Sequence, residues 1–361
     1  MSRAIYVRPV GIFPAPATAE EEVWGGLPLA GQDLRYAAVE IAERDGARVR
    51  RHIAALGDAF ERDWGRHTLA ASALIEAIGA ARPRLAGIAL DRPRIMGIVN
   101  VTPDSFSDGG LHADAAAAVA QGVQLVAEGA DILDVGGEST RPGADLVPVD
   151  AELARVIPVI EGLRALTEVP ISIDTRKAEV MARAAAAGAD ILNDVSALTH
   201  DPDALAVAAE TGLPVILMHA LGDPKTMNED PQYSDVALDV FDFLEARIAA
   251  CEAAGIPRVK LVADPGIGFG KHLHHNVAVL ASLALYHGLG VPVLLGASRK
   301  KLIDHISDVP NPKDRVPGSI AAALAAAAQG VQIVRVHDVA ATRQALNVWR
   351  AAMHGTDAAL A

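Results

Sequence analysis

The segment from Pro170 to Asn193 reads PISIDTRKAEVMARAAAAGADILN. A short apolar run ends on Asp174, an Ala-rich stretch of helical length follows, and a second apolar run ends on Asn193. Strand-sized runs separated by a helix-sized stretch are typical of βα repeats. Gly188 follows the helical stretch, where a residue with positive φ ends a helix. The segment therefore predicts a strand–helix–strand unit with a polar residue at the end of each strand.

The same pattern occurs eight times along the chain. Eight βα units over roughly 250 residues is the size of one (β/α)₈ barrel, in which catalytic groups lie at the carboxyl ends of the strands. We therefore predict an α/β protein, a (β/α)₈ TIM barrel over residues 91–361, with its active site among the strand-end residues. The eight predicted strands lie in Arg94–Asn100, Ala130–Gly136, Pro170–Asp174, Ala189–Asn193, Pro214–His219, Val259–Asp264, Pro292–Ser298 and Gln332–His337.

Eight helices are predicted between and after these strands. Asp201 precedes a proline and is the predicted N-cap of the fourth helix, and Asp338 is the predicted N-cap of the last. Gly129, Gly188, Gly212 and Gly255 each follow a helical stretch. The predicted helices lie near 113–128, 150–166, 177–187, 202–211, 235–253, 275–287, 318–329 and 339–352.

Residues 1–90 do not follow the βα pattern and contain no recognisable catalytic motif. Ile5–Phe13 alternates weakly but contains Pro9, Tyr36–Ala42 has the composition of a strand, and Thr68–Ile78 is an amphipathic helix candidate. We predict a small N-terminal α/β extension that covers part of the barrel or an interface. A regulatory or partner-binding role is the alternative.

The net charge of −13 lies entirely after residue 93, because residues 1–93 hold equal numbers of basic and acidic side chains. No basic stripe is present, which argues against a nucleic-acid partner. An anionic substrate would need a local positive cluster, which Arg141, Lys300 and Arg335 would supply. The single cysteine, Cys251, excludes an internal disulfide and lies in a predicted helix, which favours a packed thiol.

Nothing in the chain predicts export or membrane insertion. The N-terminus lacks the charged and then apolar profile of a signal peptide. The longest apolar candidate, 278–297, is interrupted by His287, Gly288, Gly290 and Pro292, so it predicts a helix, a turn and a buried strand. We expect a soluble cytoplasmic protein with no membrane partner.

Two loops after the first strands have compositions suited to anions. Asn100 ends the first strand, and its amide oxygen suits Mg²⁺ that already binds a diphosphate, although an Asn that only caps a loop is the commoner case. Gly136–Gly143 combines glycines, two hydroxyls and Arg141, a composition that favours an anion-binding loop.

Short polar side chains end three other strands, namely Asp174, Asn193 and Asp264. A carboxylate can bind two adjacent N–H groups of a flat heterocycle in bidentate fashion. A single Asp at a strand end is more often a helix cap, but three such residues in one barrel mouth favour a ligand site. The glycine-rich turn Asp264–Lys271 has neither the Walker A spacing nor the context of a dinucleotide-binding motif, and we expect it to present Asp264 and Phe269.

Basic residues follow the last two strands. Ser298-Arg-Lys300 follows the seventh, while Arg335 and His337 lie two apart on the eighth and point to the same side. These strand ends commonly bind phosphate in TIM barrels. A structural salt bridge would explain either group alone, but the coincidence of both favours an anion site.

Taken together, these motifs closely resemble the dihydropteroate synthases of the pterin-binding barrel family, from about Arg94 to Trp349. The resemblance implies that 6-hydroxymethyl-7,8-dihydropterin diphosphate and p-aminobenzoate condense to 7,8-dihydropteroate and diphosphate, with Mg²⁺ as cofactor. It also implies a homodimer through the later helices. The matching motifs are MGIVNVTPDSFSDGG (96–110), DVGGESTRPG (134–143), IDT (173–175), DPGIGFGK (264–271), SRK (298–300) and RVHDV (335–339).

The resemblance also implies a role for each strand-end residue. Asn100 would help hold Mg²⁺ and, with Arg335 and His337, the diphosphate; these three residues with Asp174 and Lys300 form the expected catalytic set. Met218 and Phe269 would line the pterin pocket. The expected pterin-binding residues are Asp174, Asn193, Met218, Asp264, Phe269, Lys300 and Arg335, and the expected p-aminobenzoate loop residues are Phe106, Thr140, Arg141 and Pro142.

Two alternatives fit the same fold. A pterin-dependent methyltransferase would use a similar pterin pocket but needs no diphosphate pocket, so the basic residues after the last strands favour the synthase. A catalytically silent pterin-binding barrel is expected to have lost Asn100, Asp174 or a loop motif, and all of these are present.

Overall fold

A computed structural model describes residues 4–15, 25–61, 67–101, 110–139, 146–222, 227 and 229–355. The described N-terminal part is a small antiparallel sheet with two helices, as predicted. β3 pairs with each of the other three strands. Pro9 does not interrupt β1, because β1 lies at the edge of this sheet, where a missing N–H is tolerated. The elements are β1 (Ile5–Pro14), β2 (Leu27–Pro28), β3 (Leu34–Asp45), β4 (Arg48–Ala55), α1 (Leu56–Glu61) and α2 (Thr68–Gly79).

Eight parallel strands form a nearly closed barrel, and each of the eight predicted runs overlaps one of them. The strands lie in chain order around the barrel from β5 to β10, with β12 and then β11 on the other side of β5. A single bridge between Ala263 and Val293 joins the two ends. The strands are β5 (Arg94–Asn100), β6 (Ile132–Gly136), β7 (Ile171–Asp174), β8 (Ile191–Asp194), β9 (Val215–Met218), β10 (Leu261–Asp264), β11 (Leu294–Leu295) and β12 (Ile333–Val336).

The helices lie between and after these strands, and the four predicted glycines have φ values between 63° and 108°. Each predicted helix overlaps an α-helix, and α9 is one that the sequence did not predict. None of the described helices is long and apolar enough to span a membrane. The helices are α3 (Gly110–Ala127), α4 (Val149–Arg164), α5 (Ala178–Ala186), α6 (Ala204–Thr211), α7 (Val236–Ala253), α8 (Leu273–Ala281), α9 (Lys301–Ser307), α10 (Val316–Ala327) and α11 (Val339–His354).

The predicted helix 275–287 was wrong in its second half. α8 ends at Ala281, and Leu283–Leu289 forms a separate, fully buried 3₁₀ segment that ends at Gly290 with φ 71°. This segment packs against β1 and α2 of the N-terminal extension. Arg82 of the extension donates a hydrogen bond of 2.9 Å to the carbonyl of His287, so a tertiary contact holds the segment in a tighter turn than its sequence suggests.

One of the two predicted N-caps was wrong. α6 begins at Ala204 with Asp203 as its N-cap residue, while the Asp201 carboxylate accepts hydrogen bonds from the backbone N–H of Asp203, at 3.0 Å, and from that of Ala178 at the start of α5, at 2.9 Å. Asp338 is the N-cap residue of α11, as predicted, but it makes no side-chain cap bond, because its carboxylate pairs with Arg299. A guanidinium is a stronger partner for a carboxylate than a backbone N–H.

The lower end of the barrel is filled by apolar side chains. Leu85 and Leu90, which precede β5, are 2% and 3% exposed and close this end. Cys251 is buried in α7, and burial raises the pKa of its thiol to about 11, which agrees with the predicted packed role. The inward-facing residues of this apolar floor are Met96, Ile132, Ile191, Ile216, Val262, Leu294 and Ile333.

We expect Leu85→Ala to lower the free energy of unfolding by about 2–5 kcal/mol, because it opens a cavity under the barrel. Leu69→Ala is the matched control: Leu69 is 86% exposed, and its substitution should change stability by less than about 0.5 kcal/mol. Urea-unfolding midpoints of the two variants test this expectation. Equal midpoints would mean that Leu85 does not seal the floor.

Candidate active site

A polar layer lies directly above the apolar floor. Successive inward-facing residues of a strand are two positions apart, so the residues that follow the floor residues on the same strands also face the interior. Asn100, Gly136, Asp174 and Asn193 lie in one register row across β5 to β8. The inward-facing polar residues of this layer are Asp134, Asp174, Asn193, Asp264 and Arg335.

Arg335 on β12 joins two strands that lie far from it in the sequence, β6 and β7. Its Nε donates to Asp134 Oδ2 at 2.6 Å, and its Nη2 donates to Asp174 Oδ2 at 2.9 Å. Asn193 Nδ2 donates to the same Asp134 oxygen at 3.2 Å. Burial lowers the pKa of Arg335, but the two carboxylates outweigh it and the net shift is upward. Arg335 is therefore a fixed positive charge at the barrel mouth.

Asp174 is the titratable group of this cluster. Burial raises its pKa to about 7, against the opposing charge of Arg335 and with a further upward contribution from Asp134. A carboxyl that titrates near neutrality and lies in a cleft is typical of a functional site.

Lys300 and Asp264 are the other two charged groups of the layer, and each shifts the pKa of the other. Lys300 Nζ donates to the carbonyl of Ile267 at 2.5 Å and lies 4.7 Å from the centroid of the Phe269 ring. Burial lowers the pKa of Lys300 to about 8, although Asp264 favours the charged form. Burial raises the pKa of Asp264. A Cβ on Gly296 would lie 3.8 Å from Lys300 Nζ and 3.9 Å from Asp264 Oδ2, so this glycine leaves space beside both groups.

The turn after β10 requires glycine. Gly266 has φ +70°, and a Cβ there would lie 1.9 Å from the carbonyl oxygen of His219. Lys271 holds the turn from below: its buried Nζ lies 2.8 Å from His219 Nδ1, 2.9 Å from the carbonyl of Gly266 and 3.1 Å from that of Phe269. Burial lowers the pKa of both Lys271 and His219. The sequence left His219 open between packing and the site, and the structure assigns it to packing under this turn.

The remaining predicted residues lie at the same end of the barrel. Asn100 is the last residue of β5, and Met218 ends β9 in register with Asp264. His337 follows β12, and its Nδ1 lies 3.0 Å from Ser298 Oγ, which links the last two strand ends. Phe106, Thr140, Arg141 and Pro142 lie outside the described residues.

Three positioning residues were not predicted from the sequence. Asp134 was identifiable as a lone carboxylate inside an apolar strand, two positions before Gly136. Lys271 is the last residue of the glycine-rich motif. Glu138 accepts hydrogen bonds from Val147 N at 2.9 Å and from Arg176 at 3.1 Å, so it joins the two ends of the loop after β6.

Comparison with known proteins places this geometry in a family. The family model of pterin-binding enzymes matches residues 96–337. The chain belongs to this family. This pterin-binding enzyme is 52% identical to the dihydropteroate synthase of Escherichia coli over 264 residues, which is 73% of this chain and 93% of the relative. It is also 52% identical to that of Neisseria meningitidis over 271 residues, 73% of this chain and 94% of the relative.

Solved structures give the same result. The Xanthomonas albilineans dihydropteroate synthase with 4-aminobenzoic acid is 55% identical, with a TM-score of 0.71 over 75% of this chain and 98% of that one. The same enzyme has been solved with 7,8-dihydropteroate, at 52% identity and a TM-score of 0.68 over the same shares of the two chains. The family model begins two residues into β5 and ends at His337, directly after β12, so it spans the barrel strands from Met96 onward.

We expect Asp134→Asn to lower the pKa of Asp174 below about 7, because it removes a neighbouring negative charge that now raises this pKa. Asp131→Asn is the control: Asp131 lies just before the same strand and pairs with Arg343 and Arg94 away from the polar layer. Carboxyl titration by NMR measures the pKa. An Asp174 that titrates at the same pH in Asp134→Asn and the wild type would contradict the proposed coupling.

Proposed function

We propose that the polar layer at the barrel mouth is the active site of a dihydropteroate synthase. The reaction condenses 6-hydroxymethyl-7,8-dihydropterin diphosphate with p-aminobenzoate to give 7,8-dihydropteroate and diphosphate. The observation that supports it most directly is the group of buried charged side chains at the strand ends. Buried carboxylates face the interior beside two cations, Arg335 and Lys300, in a barrel about half identical to enzymes solved with 4-aminobenzoic acid and with 7,8-dihydropteroate.

The pterin would bind between the ion-paired Arg335 and the side chains of Lys300 and Asp264. Asp174, Asp264 and Asn193 offer the short polar groups that a donor-rich heterocycle needs, and carboxylates accept two parallel N–H donors. Lys300 can donate to a ring oxygen or nitrogen. Met218, Phe269 and the aliphatic part of Arg335 would line the faces of the flat ring. Because Gly296 has no side chain, this arrangement leaves room for the ring beside Lys300 and Asp264.

The diphosphate would bind at Arg335, His337 and Asn100. Among the described residues, no group of three or more His, Cys, Asp or Glu side chains could hold a metal ion. Mg²⁺ in proteins is commonly held by one or two side chains together with substrate phosphates. The Asn100 amide oxygen at the end of β5 fits that role, and Mg²⁺ bound there with the diphosphate would neutralise charge on the leaving group.

The residues of this chain would stabilise both products of C–O bond cleavage, the diphosphate and the pterin cation. As the C–O bond between the pterin methylene and the diphosphate breaks, its electron pair leaves with the diphosphate, whose growing negative charge Arg335 and His337 stabilise. The buried carboxylates of Asp174 and Asp264 favour the cation that remains. The p-aminobenzoate nitrogen then forms the C–N bond and loses a proton. Phe106, Thr140, Arg141 and Pro142 are proposed to complete the p-aminobenzoate site and keep water from the cation.

We also propose, on the family resemblance, a cytoplasmic homodimer formed through the later helices. Exposed apolar side chains on these helices support the dimer: Ile306 of α9 is 60% exposed and Val348 of α11 is 66% exposed.

The first test is release of diphosphate from the dihydropterin diphosphate in the presence of Mg²⁺, with and without p-aminobenzoate. Release that depends on p-aminobenzoate and yields dihydropteroate is expected. Arg335→Ala should raise the KM for the diphosphate substrate about tenfold or more, because it removes charge-assisted hydrogen bonds. Arg343→Ala, which removes an ion pair with Asp131 outside the polar layer, is the control.

Unchanged kinetics in Arg335→Ala would rule out the proposed diphosphate pocket. Pterin binding by the wild type without turnover would instead indicate a silent barrel or a methyltransferase.

The pH dependence of kcat/KM for the diphosphate substrate should have a maximum between about 7 and 8. Below this range Asp174 is protonated and loses its charge; above it Lys300 loses its proton. The residual activity of Asp174→Asn should lack the acidic limb, and that of Lys300→Met the basic limb. A profile that stays flat through neutral pH would show that neither group must be charged.

A further inference from the structure

The N-terminal sheet contacts the beginning of α7 through partly buried ion pairs and hydrogen bonds. Arg44, whose side chain is only 6% exposed, donates to Asp239 Oδ1 at 2.8 Å and to Asp242 Oδ2 at 3.0 Å. Tyr6 also donates to Asp242, at 2.9 Å, and Arg51 pairs with Asp235. Partly desolvated ion pairs of this kind are stronger and more directional than exposed ones. The sheet therefore fixes the N-terminal turn of α7.

Two of these carboxylates are shared with the loop that precedes α7. While Asp239 Oδ1 binds Arg44, its Oδ2 accepts hydrogen bonds from the backbone N–H groups of Ser234, at 2.8 Å, and Asp235, at 3.1 Å. Asp235 binds Arg51 with one oxygen and caps α7 with the other, through the N–H of Leu238 at 3.3 Å. The extension and the end of the loop after β9 thus share the same acidic side chains.

Tyr233 is the next residue back along this loop, and it reaches the glycine-rich turn. Its hydroxyl donates to the carbonyl of Gly270 at 2.7 Å. Its ring lies 4.9 Å from that of His275 and 6.0 Å from that of His219, measured between centroids. Arg44 is therefore linked through Asp239 to the backbone of Ser234, and the adjacent Tyr233 reaches the turn beside Lys300.

The turn needs support from outside itself. Gly266, Gly268 and Gly270 have φ values of 70°, 86° and 61°, and glycine loses more backbone freedom on ordering than any other residue. Lys271 binds the carbonyls of Gly266 and Phe269 from inside the barrel, and Asn276 of α8 accepts a 2.6 Å hydrogen bond from the N–H of Gly268. Tyr233 is the side chain that binds the carbonyl of Gly270 from the side of the extension.

We propose that the N-terminal sheet is a positioning element for the pterin pocket, and that Tyr233 is the positioning residue through which it acts. The inference rests on the proposed function, because it takes the turn that presents Phe269 and the carbonyl of Ile267 to be part of the pterin site. The sheet touches neither substrate in this scheme. It sets the geometry of the turn, so its effect falls on pterin binding rather than on bond cleavage.

The comparison with relatives agrees with a supporting role for the extension and a catalytic role for the barrel. The family match begins at residue 96, after the extension, and the matched part of this chain covers 93% to 98% of the relatives described above. The shared barrel therefore contains the chemistry. The extension adds a support for one of its loops.

The test uses full-length Tyr233→Phe and Arg44→Ala. Each should raise the KM for the dihydropterin diphosphate about three- to tenfold, as expected for one lost hydrogen bond to the turn, with kcat and the KM for p-aminobenzoate changed less than about twofold. Arg350→Ala is the matched control. Arg350 of α11 forms a 2.9 Å ion pair with Asp33 of the extension, so this variant also breaks a contact between the extension and the barrel, but one away from the turn.

Hydrogen exchange gives a readout that does not depend on activity. Amides in 266–271 should exchange faster in Tyr233→Phe and Arg44→Ala than in the wild type, and at the wild-type rate in Arg350→Ala. The double variant Arg44→Ala/Tyr233→Phe should bind the pterin substrate no more weakly than Tyr233→Phe alone, because both changes act through one contact, whereas independent effects would add.

Unchanged exchange at 266–271 in Tyr233→Phe, or additive losses in the double variant, would overturn the inference while the wild type remained active. Failure of the wild type to form dihydropteroate would instead count against the proposed function itself. An equal loss of kcat in Arg44→Ala and Arg350→Ala, with both KM values unchanged, would overturn the inference by showing that the extension acts only on overall stability.

Discussion

The interaction on which the site depends is the Arg335 guanidinium held between Asp134 and Asp174. It ties the end of β12 to the ends of β6 and β7, between residues that lie 201 and 161 positions apart in the chain. A buried charge without a partner costs several kcal/mol, so each of the three groups constrains the other two. The same pairing gives the mouth of the barrel a fixed cation and a carboxyl that titrates near neutral pH. Stability and proposed chemistry thus share one set of contacts.

This cluster has its effect because it lies on an apolar floor. Leu85 and Leu90 close the lower end of the barrel, so the charged groups of the next layer are open only toward the mouth. Electrostatic interactions are stronger in such a setting than in water. The perturbed pKa values of Asp174 and Lys300 have burial as their first cause.

Much of this organisation could be predicted from the sequence, and the errors have a common origin. The eight strands and the strand-end positions of Asp174, Asn193, Asp264 and Arg335 follow from local patterns. The second half of the helix predicted at 275–287 is a 3₁₀ segment because the N-terminal extension packs on it. Asp203 and not Asp201 is the N-cap residue of α6, and one oxygen of Asp201 binds the start of α5 because the tertiary fold brings the two together. In each case a contact distant in sequence outweighed a local preference.

The sequence by itself determined the barrel, the face of each strand and the end at which polar residues collect, because side chains alternate along a strand whatever surrounds it. Only the tertiary structure decided which inward-facing groups meet. Asp134 became the partner of Arg335 through closure of the barrel, and Lys271 turned inward beneath its own glycine-rich turn. The link from Arg44 to Tyr233 and Gly270 joins three distant segments. Such meetings depend on strand register and on how separate elements pack, and no local period encodes either of them.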